Sequence, residues 1–248
     1  MSLQTDDQKI AHLLRRFAFG ASEAEMAYYS RGGLKGAIDK LLNYQTVDEG
    51  FGIEPEKFQN NQGNLNLRAA QSWWYLRILA TSHPLEQKLT LFWHDHFATS
   101  AQKVDSPYGM LGHIEALRTH ALGPFEELLL GISKDPGMLY WLDNHENIKG
   151  KPNENFAREV MELFTLGIGH YSEKDVQEAA RAFTGWTIGV KRGQRVVPTG
   201  MRIPPRGPVF LYVPARHDDG EKSLLGNRGT FNGEDICGIL CGNTQTAR

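Results

Sequence analysis

Apolar positions recur at helical spacing along most of the chain, and capping residues and glycines cut the pattern into segments. Thr5-Asp6-Asp7-Gln8 is a capping box, followed by Ile10, Leu13, Leu14 and Phe17 on one stripe and by a stop at Gly20. Ser22-Glu23-Ala24-Glu25 opens a second helix that halts at Arg31-Gly32-Gly33, and Leu34, Ile38, Leu41 and Leu42 make one face of a third. Residues 43–64 are polar and broken by Gly and Pro, the pattern of a long surface loop. A Trp-rich helix is predicted over 65–81, and Pro84 opens the next, with Leu85, Leu89, Phe92 and His96 as its core stripe. Further helices are predicted over 110–121 and 125–132, after Asp135-Pro136, through ENFAREVMELFTL to a left-handed stop at Gly167, and from a cap at Ser172 to Phe183.

After Trp186 the pattern changes. TIGVKRGQRVV, VFLYV and KSLLGNRGTF carry β-branched and aromatic residues between turns, and GEDICGILC returns to an apolar-faced helix. The fold class predicted is mainly α: an irregular multi-helix bundle with a small β-hairpin or ribbon element after residue 186. The chain is expected to form one helical domain fragment. Its helical core covers 1–185, a β-rich insertion 186–232, and the start of a helix that is cut off 233–248.

Composition narrows the function classes more than it selects one. A chain of 248 residues buries roughly 70% of its unfolded surface without a metal or disulfide staple. With 27 Lys and Arg against 29 Asp and Glu, the net charge of -2 supplies no field for nucleic acid or anionic lipid. The basic stretch of Lys191, Arg192, Arg195, Arg202 and Arg206 reads as a solvated hairpin, so no nucleic-acid partner is expected. No apolar run is long enough to span a membrane, and MSLQTDDQKIAHLL has no charged-then-apolar leader. The location expected is therefore cytoplasmic as given, or exported if a leader was removed. Cys237 and Cys241, four apart on the final helix, read as small apolar residues in a reducing compartment.

The candidate chemistry lies in four places. His94-Asp95-His96 would grip a metal on a strand, but on a helix, at roughly 100° per residue, its two imidazoles point about 200° apart. His96 then faces the core and His94 faces water or a loop; His96 is either a hydrogen-bonded core histidine or a proton-transfer group. In ENFAREVMELFTL, Phe156, Val160, Leu163 and Phe164 form the core stripe, with Glu159 at its edge and Glu162 further round. A carboxylate beside apolar neighbours must be paired, protonated or metal-bound. Glu159 and Glu162 could share a divalent metal with His96, or they could belong to an ion-pair lattice of Glu154, Arg158 and Glu162 with Glu178 and Arg181. The loop Asp143–Glu154 has the length of a calcium loop but puts Ile148 where glycine is needed, and reads instead as an Asn/Asp-rich loop bonding its own backbone. His170 sits in the tight Gly167-Ile168-Gly169 connection. The candidate catalytic residues are thus His96, Glu159, Glu162 and His170, and the candidate metal ligands Glu159, Glu162 and His96.

HLLRRFAFGAS, LFWHDHFATS, DPGMLYWLDN, KGKPNENFAREVMELFTLGIGHYSEKDVQEAARAFTGW and HDDGEKSLLG strongly resemble the bacterial domain-of-unknown-function 1800 family, from about His12 to the end of the chain. The resemblance implies a mostly helical protein and carries no catalytic assignment across. It also implies that members are often exported and run to about twice this length. A truncated chain is then expected, with an apolar face at Ile236, Ile239 and Leu240 left uncovered for self-association. The two functions in play are an enzyme with a metal or acid–base site, and a non-catalytic binding or assembly module that needs a missing C-terminal half.

Overall fold

The computed structural model describes residues 5–192, 195–199 and 207–246. The chain divides into two compact units, Met1–Trp93 and His94–Arg248.

The first unit contains α1 (Asp6–Phe17), α2 (Glu23–Ser30), α3 (Gly33–Leu42), α4 (Leu67–Ala80) and most of α5 (Pro84–His96). Both predicted capping boxes form: Thr5 and Ser22 accept from the N3 backbone while Gln8 and Glu25 reach back. The core is Ile10, Leu14, Ala18, Tyr29, Ala37, Leu41 and Leu85, with Leu13, Met26, Leu34 and Leu89 packed on it. In α3 the buried positions are Ala37 and Leu41, and the predicted Ile38 and Leu42 are exposed, because small Ala37 faces the helix it packs on. The 43–64 segment is a loop with two single 3₁₀ turns, Tyr44–Thr46 and Pro55–Phe58. It is pinned to α4 through Glu49, which accepts two hydrogen bonds from Arg77 at 2.8 and 2.7 Å and one from Thr81 at 3.2 Å. In α5 the buried positions are Leu85, Glu86, Gln87 and Thr90, whereas Phe92 is 57% exposed, so the predicted stripe through Phe92 is not the buried one.

The second unit carries α6 (Ala101–Val104), α7 (Pro107–His120), α8 (Phe125–Ser133), α9 (Pro136–Trp141), α10 (Asn155–Glu159), α11 (Glu173–Ala182) and α12 (Gly233–Cys241). Asp-Pro-Gly at 135–137 is legible in physical terms. Asp135 caps α9, Pro136 fills N1, and a Cβ on Gly137 would stand 3.2 Å from the Gly109 carbonyl of α7. The expected β element forms after residue 186. β1 (Trp186–Arg192) lies between β2 (Arg195–Pro198) and β3 (Pro208–Tyr212), antiparallel to both, with Trp186 opposite Tyr212 and Val190 opposite Val197. A hairpin of β4 (Lys222–Leu224) and β5 (Asn227–Gly229) packs on α11. Lys191, Arg192 and Arg195 are exposed on β1 and β2; Arg202 and Arg206 lie outside the described residues.

The C-terminal helix corrects one expectation. Of the predicted uncovered face, Ile236 and Leu240 are buried, with Cys237, where α12 packs on α8 and α11, and Ile239 is half-buried. Among the described residues, no helix is long and apolar enough to cross a membrane.

Candidate acid–base cleft

The predicted ENFAREVMELFTL helix forms, but not as one α-helix. After α10 the chain widens into a π-turn, Val160–Thr165, in which the Leu166 N–H donates to the Met161 carbonyl at 2.8 Å and the Thr165 hydroxyl to the Val160 carbonyl at 2.7 Å. Gly167, at φ 80°, ends it as predicted. The additional residue in the turn rotates everything after it. Met161 becomes fully buried and Leu163 is 59% exposed, where a regular helix would place Leu163 in the core stripe. Phe164 carries one of the last carbonyls of this segment, which have no partner further along the helix. That carbonyl accepts from His96 Nε2 at 3.3 Å.

His96 is the last residue of α5, and its ring packs edge-on against Phe97 at 4.6 Å. Phe97 is fully buried and packs in turn against Phe164 at 5.0 Å and Phe125 at 6.2 Å. His96 and Glu159 line one cleft of about 470 Å³, together with Asp95, Ala98, Lys103, Trp141, Leu142, Asn155, Leu163 and Phe164. Its apolar wall is Trp141, Leu142, Leu163 and Phe164. Lys103 is anchored at its rim by an ion pair to Asp143 at 2.7 Å and a hydrogen bond to the Trp141 carbonyl at 2.7 Å. Asn155 donates to the Leu142 carbonyl at 3.2 Å.

Partial burial, and next the charge of Glu162, raise Glu159 above the ordinary carboxylate range, while Arg158 pulls the other way. Arg158 itself is held by Glu173 at 2.7 Å and Glu154 at 3.2 Å. Of the predicted ion-pair lattice, Glu154–Arg158 and Glu178–Arg181 are present.

The structure brings two of the four sequence-predicted residues together. His96 and Glu159 share the cleft. Glu162 is not among the residues lining it and accepts a hydrogen bond from the Tyr171 hydroxyl at 2.5 Å. Burial, followed by this bond, pushes Tyr171 up to about 12. His170 is exposed in the turn after Gly169. Among the described residues no three His, Cys, Asp or Glu side chains stand where they could hold a metal ion, so Glu159, Glu162 and His96 do not assemble as a ligand set.

His94 also departs from expectation. It does not face water but packs edge-on against His113 of α7, with ring centroids 5.8 Å apart. Burial, and next the neighbouring His113, lower it to about 4, against an opposing pull from Asp95. His113 itself is fully buried, with Nδ1 2.9 Å from Asp135 Oδ2 and Nε2 3.1 Å from the Phe97 carbonyl. Sequence reasoning missed this pair. His113 sits in an unremarkable helical run, and Asp135 shows in sequence only as an N-cap, a role it also performs by accepting from the Met138 N–H at 2.8 Å.

The Asp143–Glu154 loop supports the cleft from behind. Asn147, fully buried, donates to the Asn144 side chain at 3.0 Å and the Ala180 carbonyl at 2.8 Å, and accepts from the Asn153 N–H at 2.9 Å. Asn144 donates to the Phe183 and Trp186 carbonyls at 3.3 and 3.1 Å. These side chains bond backbone, as expected for an Asn-rich loop, and fix where Asn155 and α10 begin.

The motifs assembled here, HDH at the end of α5, DPG at α9 and KPNENFAREVMELFTLG along α10 and its π-turn, belong to one pattern. A family description, protein of unknown function (DUF1800), matches residues 12–248. The chain belongs to the DUF1800 family. No curated protein and no solved structure matches it. In DUF1800 terms, the long central motif supplies one wall of the cleft and the HDH motif the imidazole opposite.

Proposed function

We propose that the cleft performs acid–base catalysis on a small polar substrate, with Glu159 as the proton donor and His96 as the acceptor. The observation that carries this reading is the pairing of a carboxyl group raised by burial with an imidazole whose Nε2–H is committed to a backbone carbonyl, both lining one open cleft. The Nε2–H bond selects the tautomer in which Nδ1 is the basic nitrogen. A carboxyl group held toward its protonated form beside an imidazole in one cleft is a usual basis of an acid–base assignment. The apolar wall of Trp141, Leu163 and Phe164 would exclude water from one side of a bound molecule, and Lys103 and Asn155 offer donors to orient it. The other reading, a non-catalytic binding or assembly module, draws on the Trp-rich helix at 73–74 and on the lack of a known catalytic signature, and turnover by the full chain separates the two.

The test is turnover by the full chain of a panel of ester, amide and glycoside substrates, followed across pH. A bell-shaped profile is expected, with turnover cut about 100-fold or more in Glu159→Gln and in His96→Asn. Turnover that survives in both variants would overturn the reading.

A further inference from the structure

We infer that His113 is a positioning residue for His96, a doubly protonated imidazolium clamped between the Asp135 carboxylate and the Phe97 carbonyl. This rests on the acid–base reading for its purpose, but not for its geometry.

The proton count comes from the partners. A backbone carbonyl can only accept, so the Nε2 that approaches the Phe97 oxygen at 3.1 Å carries a hydrogen. Asp135 caps α9 and accepts the Met138 N–H with the same Oδ2, a place at a helix start that favours the carboxylate, so His113 Nδ1 faces an ionised acceptor and carries a hydrogen too. A ring with two N–H groups is a cation, and Asp135 is its counter-ion. Both side chains are essentially out of contact with water, at 0% and 2% exposure. In such a setting the pair is costly to break, because either partner alone would be a buried uncompensated charge. His94, whose ring lies 5.8 Å away, is lowered first by its burial and next by this neighbour.

The purpose follows from where the clamp acts. Phe97 directly follows His96, at the point where α5 ends. Holding the Phe97 carbonyl fixes the exit of the chain from α5. That fixes the His96 backbone and brings its ring under the Phe164 carbonyl of the π-turn. Asp135 is in turn set by α9, whose Gly137 allows the close approach to α7 on which His113 sits. The line from Asp135 through His113 and Phe97 to His96 ties two local sequence signals, DPG and HDH, into one device.

Two substitutions separate its two ends. Asn places its amide where Nδ1 was, and Gln places its amide where Nε2 was. His113→Asn therefore keeps a donor for Asp135 and loses the Phe97 bond; His113→Gln keeps the donor for Phe97. In the full chain labelled at histidine nitrogen, NMR is expected to show His113 with two N–H groups in the wild type. It should show the His96 resonances and titration midpoint close to wild type in His113→Gln and displaced in His113→Asn. A wild-type His113 with one N–H overturns the clamp, whether or not either variant folds. Two folded variants that both leave His96 unchanged overturn the positioning role. If the cleft proves to turn nothing over while His96 still responds in this pattern, the catalytic reading has failed and the clamp has not.

Discussion

The two units are stabilised in different ways. The first is built around an apolar cluster in which Ile10, Leu14, Ala37 and Leu41 interlock across α1 and α3, and its buried polar side chains, His83, Glu86, Gln87 and Thr90, are confined to the start of α5 and the turn before it. The second buries His113, Asp135, Asn144, Asn147, Thr184, Thr187, His217 and Lys222 beside its aliphatic core. These are joined in continuous networks: Lys222 donates to the Asp218 and Gly220 carbonyls, His217 lies 2.9 Å from the Thr184 carbonyl, and Arg181 bridges Glu178 and Asp218. An apolar core tolerates a change of shape at moderate cost. A buried polar network fixes geometry more tightly, and every broken bond in it strands a partner. The cleft belongs to the unit of the second kind.

The sharpest way to break this comparison is Asn147→Ala. It strands the Ala180 carbonyl, the Asn144 side chain and the Asn153 N–H at once, and is expected to cost about 3–5 kcal/mol by denaturant unfolding. A cost under about 1 kcal/mol would mean that the network is not what orders the second unit. Leu14→Ala is expected to cost about 3 kcal/mol, with hydrogen exchange rising chiefly over α1–α3. Equal acceleration in α10 and α11 would erase the distinction between the units.

The smallest effect concerns acid. His94 is lowered from its ordinary 6.5 to about 4 in the folded chain. Between those values the unfolded chain binds a proton that the folded chain does not. Stability at this site is therefore present above about pH 6.5 and is lost as pH falls toward 4. After allowance for its partly exposed ring, the loss is about 2 kcal/mol. His94→Gln should flatten that stretch of the stability curve relative to wild type. Asp218, held down at about 2 chiefly by its hydrogen bond with Arg181, acts only at lower pH. An unchanged slope in His94→Gln would show that the ring is not held neutral.

Legibility follows the same division. The helices of the first unit are written in caps and periodicity, and Thr5, Ser22 and Pro84 mark their starts closely. What periodicity misjudges there is phase: Ile38 and Phe92 suit a core, but the buried positions are Ala37, Glu86 and Thr90. In the second unit the Gly167 stop, the Ser172 cap and the change to strands at Trp186 were all readable. The π-turn was not, because its sequence satisfies an ordinary helix equally well. Nor was the His113–Asp135 contact, since a lone histidine in a helix and a capping aspartate each have a sufficient local explanation. Glu159 was found because a carboxylate at the margin of an apolar stripe needs a reason to be there.

The widened turn at Val160–Thr165 sets a boundary for engineering. Removing one residue from it would restore standard helical winding and, by ordinary thermostabilising logic, look like an improvement. Each side chain beyond the deletion would then swing by roughly 100° and slide by about 1.5 Å. Leu163 would return inward and the carbonyl that meets His96 would aim elsewhere, so a straightened variant would exchange the working surface for a better rod.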